Sequence, residues 1–201
     1  MSIAIAPPPL ASKHGRAAAD LPEPPLRYQR MSLAEYLTIP EGPPFVEWAD
    51  GWAIFMSVPK RLHGRAVARL SAILLAALPN CDVVSDAGLA LATSRRIPDI
   101  AVFNYQDNGD ENWNKEVPLI AVEILSPSTR NQDLVDKRDE YARAGIYQYW
   151  IVDPVEQQVS ILKNSNGNWQ TLAVLADQNP TATVDVADRG TVHLNLHQIL
   201  G

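Results

Sequence analysis

The run Leu119-Ile120-Ala121-Val122-Glu123-Ile124-Leu125 constrains this chain more than any other segment. An almost unbroken apolar stretch of that length reads as a strand covered on both faces, hence the centre of a layered sheet. Glu123 then falls where a carboxylate is costly, because an unpaired buried charge is rarely tolerated without use. It lies near the C-terminal end of the strand, where open α/β sheets usually place their sites. A strand-end charge reaching solvent is the plainer alternative.

The flanking segments supply the layers. Residues 45–49 and 52–57 flank Asp50-Gly51, a two-residue turn that closes a hairpin because both positions tolerate positive φ. Over residues 62–78, Val67, Leu70, Leu74, Ala77 and Leu78 recur at three and four, predicting an amphipathic helix that stops at Pro79. Strands are expected at 81–85, 88–93, 97–103 and 119–125, then a helix over 133–144 closed by Gly145. Further strands follow at 148–153, 158–163 and 169–174, and a Leu-rich C-terminal segment caps the core. A short helix begins at Ser32, with Glu35 three residues on. Nine of the 16 prolines precede residue 45. Residues 1–30 therefore read as a Pro-rich arm, disordered or wrapped over the surface, and 31–201 as a single domain. The element order predicts an α/β fold with a central mixed sheet flanked by helices.

Two further carboxylates share the anomaly of Glu123. Asp99 follows Pro98 on a strand face with Ile97 and Ala101, and Glu47 sits between Phe45 and Ala49, set opposite Ile54 by the turn. An Asp turn after proline and a paired hairpin glutamate are the ordinary readings. Lys137 is the matching oddity, since Leu134, Lys137 and Tyr141 fall on one helical stripe and turn the lysine inward. A snorkelling lysine is the bland alternative. Beside carboxylates, its ammonium would stay charged and stabilise a developing anion.

Carboxylates on neighbouring strands form a hard oxygen site suited to Mg²⁺ or Mn²⁺, and a metal so held serves phosphodiester hydrolysis. Glycoside cleavage needs only two carboxylates and leaves Lys137 without a task. Charge placement favours the first. Between Gly51 and Cys81 no acidic residue occurs, while Lys60, Arg61, Arg65 and Arg69 do. Arg61, Arg65 and Arg69 share one helix face able to meet phosphates, Arg96 just before Asp99 extends it, and a solvated face is the alternative. His63, near the helix start, reads as a phosphate contact, a general base or a surface histidine.

Several classes are excluded. The lone Cys81 rules out an internal disulfide framework and a cysteine zinc site. A net charge of −6 argues against coating nucleic acid by bulk charge. No long apolar run or signal pattern occurs, which argues against a membrane partner and for a cytoplasmic protein. There is no Walker loop and no G-x-G-x-x-G, and Ser126-Pro127-Ser128 lacks the glycines of a nucleophile elbow.

Glu47 with Asp50-Gly51, His63-Gly64, Pro98-Asp99, the run Val122 to Thr129, Asp133 with Lys137 and Tyr141, and the run Gly145 to Pro154 occur in this order. Together they resemble the Uma-type restriction endonuclease family of the PD-(D/E)XK nuclease superfamily. The resemblance implies a restriction-endonuclease-like core and a metal site on Asp99 and Glu123, with Glu47 as the additional acidic residue. Two residues after Glu123 stands Leu125 in place of the superfamily's lysine, and the family pattern implies that Lys137 replaces it.

The expectation is a metal-dependent endonuclease acting on DNA, with RNA as a further possible substrate. Asp99, Glu123, Lys137 and Glu47 are the expected catalytic residues, and Asp99, Glu123 and Glu47 the ligands of Mg²⁺ or Mn²⁺. His63, Arg61, Arg65, Arg69 and Arg96 are expected to hold the nucleic acid, with a homodimer for duplex cleavage. The rival expectation is a non-cutting nucleic-acid- or protein-binding module on the same fold.

Overall fold

The computed structural model describes residues 26–40, 42–105 and 113–201. Strand β1 (Arg27–Arg30) leads into α1 (Leu33–Tyr36), which Ser32 and Glu35 cap reciprocally as the sequence predicts. Strands β2 (Val46–Ala49) and β3 (Trp52–Phe55) form the expected hairpin, with positive φ at both Asp50 and Gly51 and Glu47 opposite Ile54. Residues 27–30, assigned above to the arm, instead pair with β3. The preceding part of the arm lies outside the described residues.

Helix α2 (Arg61–Ala77) buries Ala66, Leu70 and Leu74, one face repeating every four residues, and ends before Pro79. After it come β4 (Cys81–Ser85), the short β5 (Leu89–Ala90) and β6 (Ser94–Arg96), then β7 (Ile100–Asn104) and β8 (Ile120–Ile124). A π-helical turn at Gln132–Asp136 runs into α3 (Lys137–Ala144), which Gly145 closes at φ 85°. The chain finishes as β9 (Gln148–Asp153), β10 (Gln158–Ser165), β11 (Asn168–Leu175), β12 (Thr181–Val186), β13 (Gly190–Asn195) and α4 (Leu196–Leu200). Strands β6, β12 and β13 have no counterpart among the strands expected from the sequence, and the expected strand over 88–93 outruns the two residues of β5.

Among the described residues the main sheet runs β11-β10-β9-β8-β7-β4. It is mixed, because α3 carries the chain from β8 to a parallel β9 while β7 and β8 are antiparallel. All five β8 residues are buried, as an inner strand with two covered faces requires. One face packs Ile120, Val122 and Ile124 against α2, α4 and the β12-β13 hairpin. The other packs Ala101, Ala121 and Tyr149 against Tyr141 of α3. A second sheet, β1-β3-β2-β6-β5, contributes Glu47 and Arg96 on this α3 side, where both meet side chains of α3. No described helix is long and apolar enough to cross a membrane.

Candidate active site

Side-chain alternation decides which face of β8 holds Glu123. Ile120, Val122 and Ile124 belong to the α2 side, so Glu123 points with Ala121 toward α3. Asp99 immediately precedes β7, whose Ile100 pairs with Val122, and this brings Asp99 to the same end of these two inner strands as Glu123. Its Oδ2 accepts from the backbone N–H of Ile124 at 2.6 Å, and its Oδ1 lies 3.0 Å from Nε2 of His63 in the first turn of α2.

From the opposite side α3 sends in Lys137, 1% exposed. Its Nζ lies 3.0 Å from Glu123 Oε1, 2.9 Å from Glu47 Oε1 and 3.3 Å from Asp133 Oδ1. Tyr141, one turn on, donates to the same Glu123 oxygen at 2.8 Å. Burial alone would lower the lysine's pKa, but Glu123, Glu47 and Asp133 outweigh it and hold the ammonium charged. Three carboxylates around one ammonium leave negative charge over. Burial, reinforced by Asp133, Asp99 and Glu47, pushes Glu123 well above the usual carboxylate range despite Lys137. Burial likewise raises Asp133 to about 6 against the pull of Lys137. At His63 burial works downward, but the bond to Asp99 and the charges of Asp99, Asp86 and Asp133 raise its pKa on balance.

Asp99, Glu123, Asp133, His63 and Lys137 line one pocket of about 290 Å³. Among the described residues no three His, Cys, Asp or Glu side chains converge as an all-protein metal cage. Mg²⁺ does not require one, since it commonly takes one or two carboxylates and keeps its waters. Hard oxygen donors and surplus buried negative charge fit such a cation at Asp99 and Glu123.

Two expected site residues lie outside the pocket lining. Glu47, fully buried, accepts from Ile97 N–H at 2.9 Å and Arg96 Nη1 at 3.0 Å besides Lys137, and does not line the pocket. Both of its carboxylate oxygens are engaged, Oε1 by Ile97 and Lys137 and Oε2 by Arg96. Arg96, expected to meet phosphate, is 1% exposed and locked between Glu47 and Glu140. Its extended backbone on β6 sends the guanidinium inward. Of the α2 arginines, Arg61 and Arg65 are exposed, whereas Arg69 is half-buried with its Nη1 closed off beside Gly201. The sequence reading gives no roles to Asp133 and Tyr141, although each stands four residues from Lys137 and so shares its helix face.

The mixed six-stranded sheet with helices on its faces is the fold of a restriction-endonuclease-like, nuclease-fold protein. The chain belongs to the Uma2 family, described as “putative restriction endonuclease”, whose pattern matches residues 33–192. Among solved structures it is similar to “a putative nuclease belonging to DUF820” from Anabaena variabilis. The two share 22% identity at a TM-score of 0.71, over 85% of this chain and 97% of that one. That likeness concerns the fold. No curated protein matches the chain.

Proposed function

We propose that the protein hydrolyses DNA phosphodiester bonds, with Asp99 and Glu123 holding Mg²⁺ or Mn²⁺. The observation that carries this reading is the position of Lys137. Leu125 leaves β8 without a lysine two residues after Glu123, and the Lys137 ammonium lies 3.0 Å from Glu123 all the same, delivered from α3. A divalent cation bound there supplies charge for a phosphoryl oxygen and lowers the pKa of an attacking water.

The chain's own residues do the rest. Lys137, kept charged and fixed by Glu47 and Asp133, presents a cation beside the carboxylates where anionic charge develops. Tyr141 and Lys137 both donate to Glu123 Oε1 and set the orientation of that carboxylate. His63, tied to Asp99, faces the same pocket as a phosphate contact, and the exposed Arg61 and Arg65 attract the backbone from the flank. Cutting both strands of a duplex would take two such centres and hence a homodimer, and the proposed setting is the cytoplasm.

The test is incubation of plasmid DNA, linear DNA and RNA with purified protein in Mg²⁺ or Mn²⁺, beside Asp99→Ala and Glu123→Ala of verified fold. Loss of cleavage in both variants supports the reading. Equal cleavage by the variants, or none by the wild type, overturns it.

A further inference from the structure

We infer that this site takes an unpaired strand, seating the base next to the scissile phosphate on Phe45 in an apolar mouth; the inference rests on the nuclease reading and narrows its substrate. The floor of the pocket is charged and deep, with Glu123 3% and Lys137 1% exposed. Its mouth is the reverse. Phe45 is 44% exposed, Val58 89%, Leu62 39% and Val155 70%, and all four line the same pocket. They come from separate segments: the approach to β2, the connection into α2, the first turn of α2, and the turn after β9. Isolated exposed apolar side chains need no explanation, but four converging above one charged floor make a patch that water solvates poorly.

A duplex presents phosphates outward and its bases stacked inward, so a duplex-binding rim is cationic rather than apolar. Here no arginine among the described residues lines the opening, whose cation at the rim is Lys60 beside the four apolar side chains, and the arginines of the neighbouring segments are largely committed elsewhere. Arg96 is buried, and Arg130 is bound to Asp153 at 2.6 Å. The exposed Arg61 and Arg65 lie together on α2, enough to follow one backbone. The connection into α2 also meets the segment after β8, with Ser57 Oγ 3.4 Å from Ser128 Oγ. A strand whose neighbouring bases are free to unstack can lower its phosphate toward that buried floor.

Those bases have somewhere to go. A second cavity of about 600 Å³ shares Phe45, Asp86 and Ile97 with the first and adds the part-exposed Trp113, itself seated on the buried Tyr36. Single-strand binders combine such aromatic platforms with a modest cationic track. Cleavage of one strand at a time also removes the need for paired centres, so one copy of the chain suffices.

The experiment compares a fluorescent single-stranded oligonucleotide with its own duplex, measuring cleavage in Mn²⁺ and binding by anisotropy in Ca²⁺, for wild type, Phe45→Ala and Asp99→Ala. The single strand should be cut at least about tenfold faster, and Phe45→Ala should raise KM about five- to tenfold with kcat little changed, the scale of one lost stacking contact. A duplex cut equally fast, or an unchanged KM in Phe45→Ala, overturns the inference and leaves the nuclease reading standing. If no strand is cut, the nuclease reading fails instead, and the binding arm decides: single strand bound more tightly through Phe45 upholds the mouth, and duplex bound as tightly overturns it.

Discussion

Lys137 Nζ lies 2.9 Å from Glu47 Oε1, an ion pair that ties α3 to β2 of the second sheet across a buried boundary. It is one link in an alternating series in which Glu140 holds Arg96, Arg96 holds Glu47, Glu47 holds Lys137 and Lys137 meets Glu123. Each charge has an opposite neighbour, which is the condition under which buried charges are tolerated. The series fixes a lysine at the floor of the pocket from a helix, without a lysine on β8 itself.

Glu47 therefore acts on position and stability. In Glu47→Gln the amide oxygen can still accept from Ile97 and Lys137, but the amide nitrogen then faces the donor Nη1 of Arg96. Unfolding in urea should show a loss of about 3 kcal/mol. Calorimetric affinity for Mn²⁺ should stay within about threefold of wild type, far from the 10–100-fold losses typical when a metal site's immediate support is removed. A loss matching that of Asp99→Ala would make Glu47 a ligand after all.

Lys137→Met removes the ammonium from among Glu47, Glu123 and Asp133 while keeping most of the stem's volume. Breaking a buried pair in this way costs about 3–5 kcal/mol at neutral pH. The deficit should shrink on acidification. Without Lys137 the native carboxyls hold their protons to still higher pH, so the native state binds more protons than the unfolded chain and loses stability as pH rises. Urea titrations of both proteins at pH 5 and pH 8 check this; an equal gap at both would contradict it.

The sequence makes the framework legible where periodicity and turn chemistry agree. Asp50-Gly51 sets the hairpin register, the four-residue spacing of Ala66, Leu70 and Leu74 draws α2, and the apolar run marks β8. Glu123 and Lys137 are visible as charges on faces that should be apolar. Arg96 is not, because its burial depends on Glu140 and Glu47, which lie 44 and 49 residues away. The π-helical turn at Gln132–Asp136 is hidden for a similar reason, since i→i+5 bonding leaves no clear mark on an amphipathic pattern.

Asp133 gives a pH signature of its own. Its carboxyl, raised by burial to about 6 from an ordinary value of 3.8, holds a proton in the native state that the unfolded chain has already released. Between those values stability must fall as pH rises, and the loss is complete above about pH 6–7. Asp133→Asn lacks that slope. It should match wild type near pH 4 and exceed it at pH 7.5 by on the order of 2 kcal/mol, read from chemical denaturation across the range. A variant less stable than wild type at pH 7.5 would mean that the ion pair with Lys137 outweighs the burial of Asp133.

Glu123 links stability to the proposed cation. Burial and the neighbouring Asp133, Asp99 and Glu47 make its ionised form costly, while Gln at this position keeps an oxygen to accept from Lys137 and Tyr141. In chelator at pH 7.5, Glu123→Gln should melt above wild type. Added Mn²⁺ should reverse the order, because ligand binding to the native state stabilises by about 2.7 kcal/mol at a hundred times Kd, and only the protein with both carboxylates gains it. Thermal melts of wild type, Glu123→Gln and Asp99→Ala with and without Mn²⁺ read this crossing directly. Parallel upward shifts in all three would place the ion elsewhere on the molecule and remove Asp99 and Glu123 as its ligands.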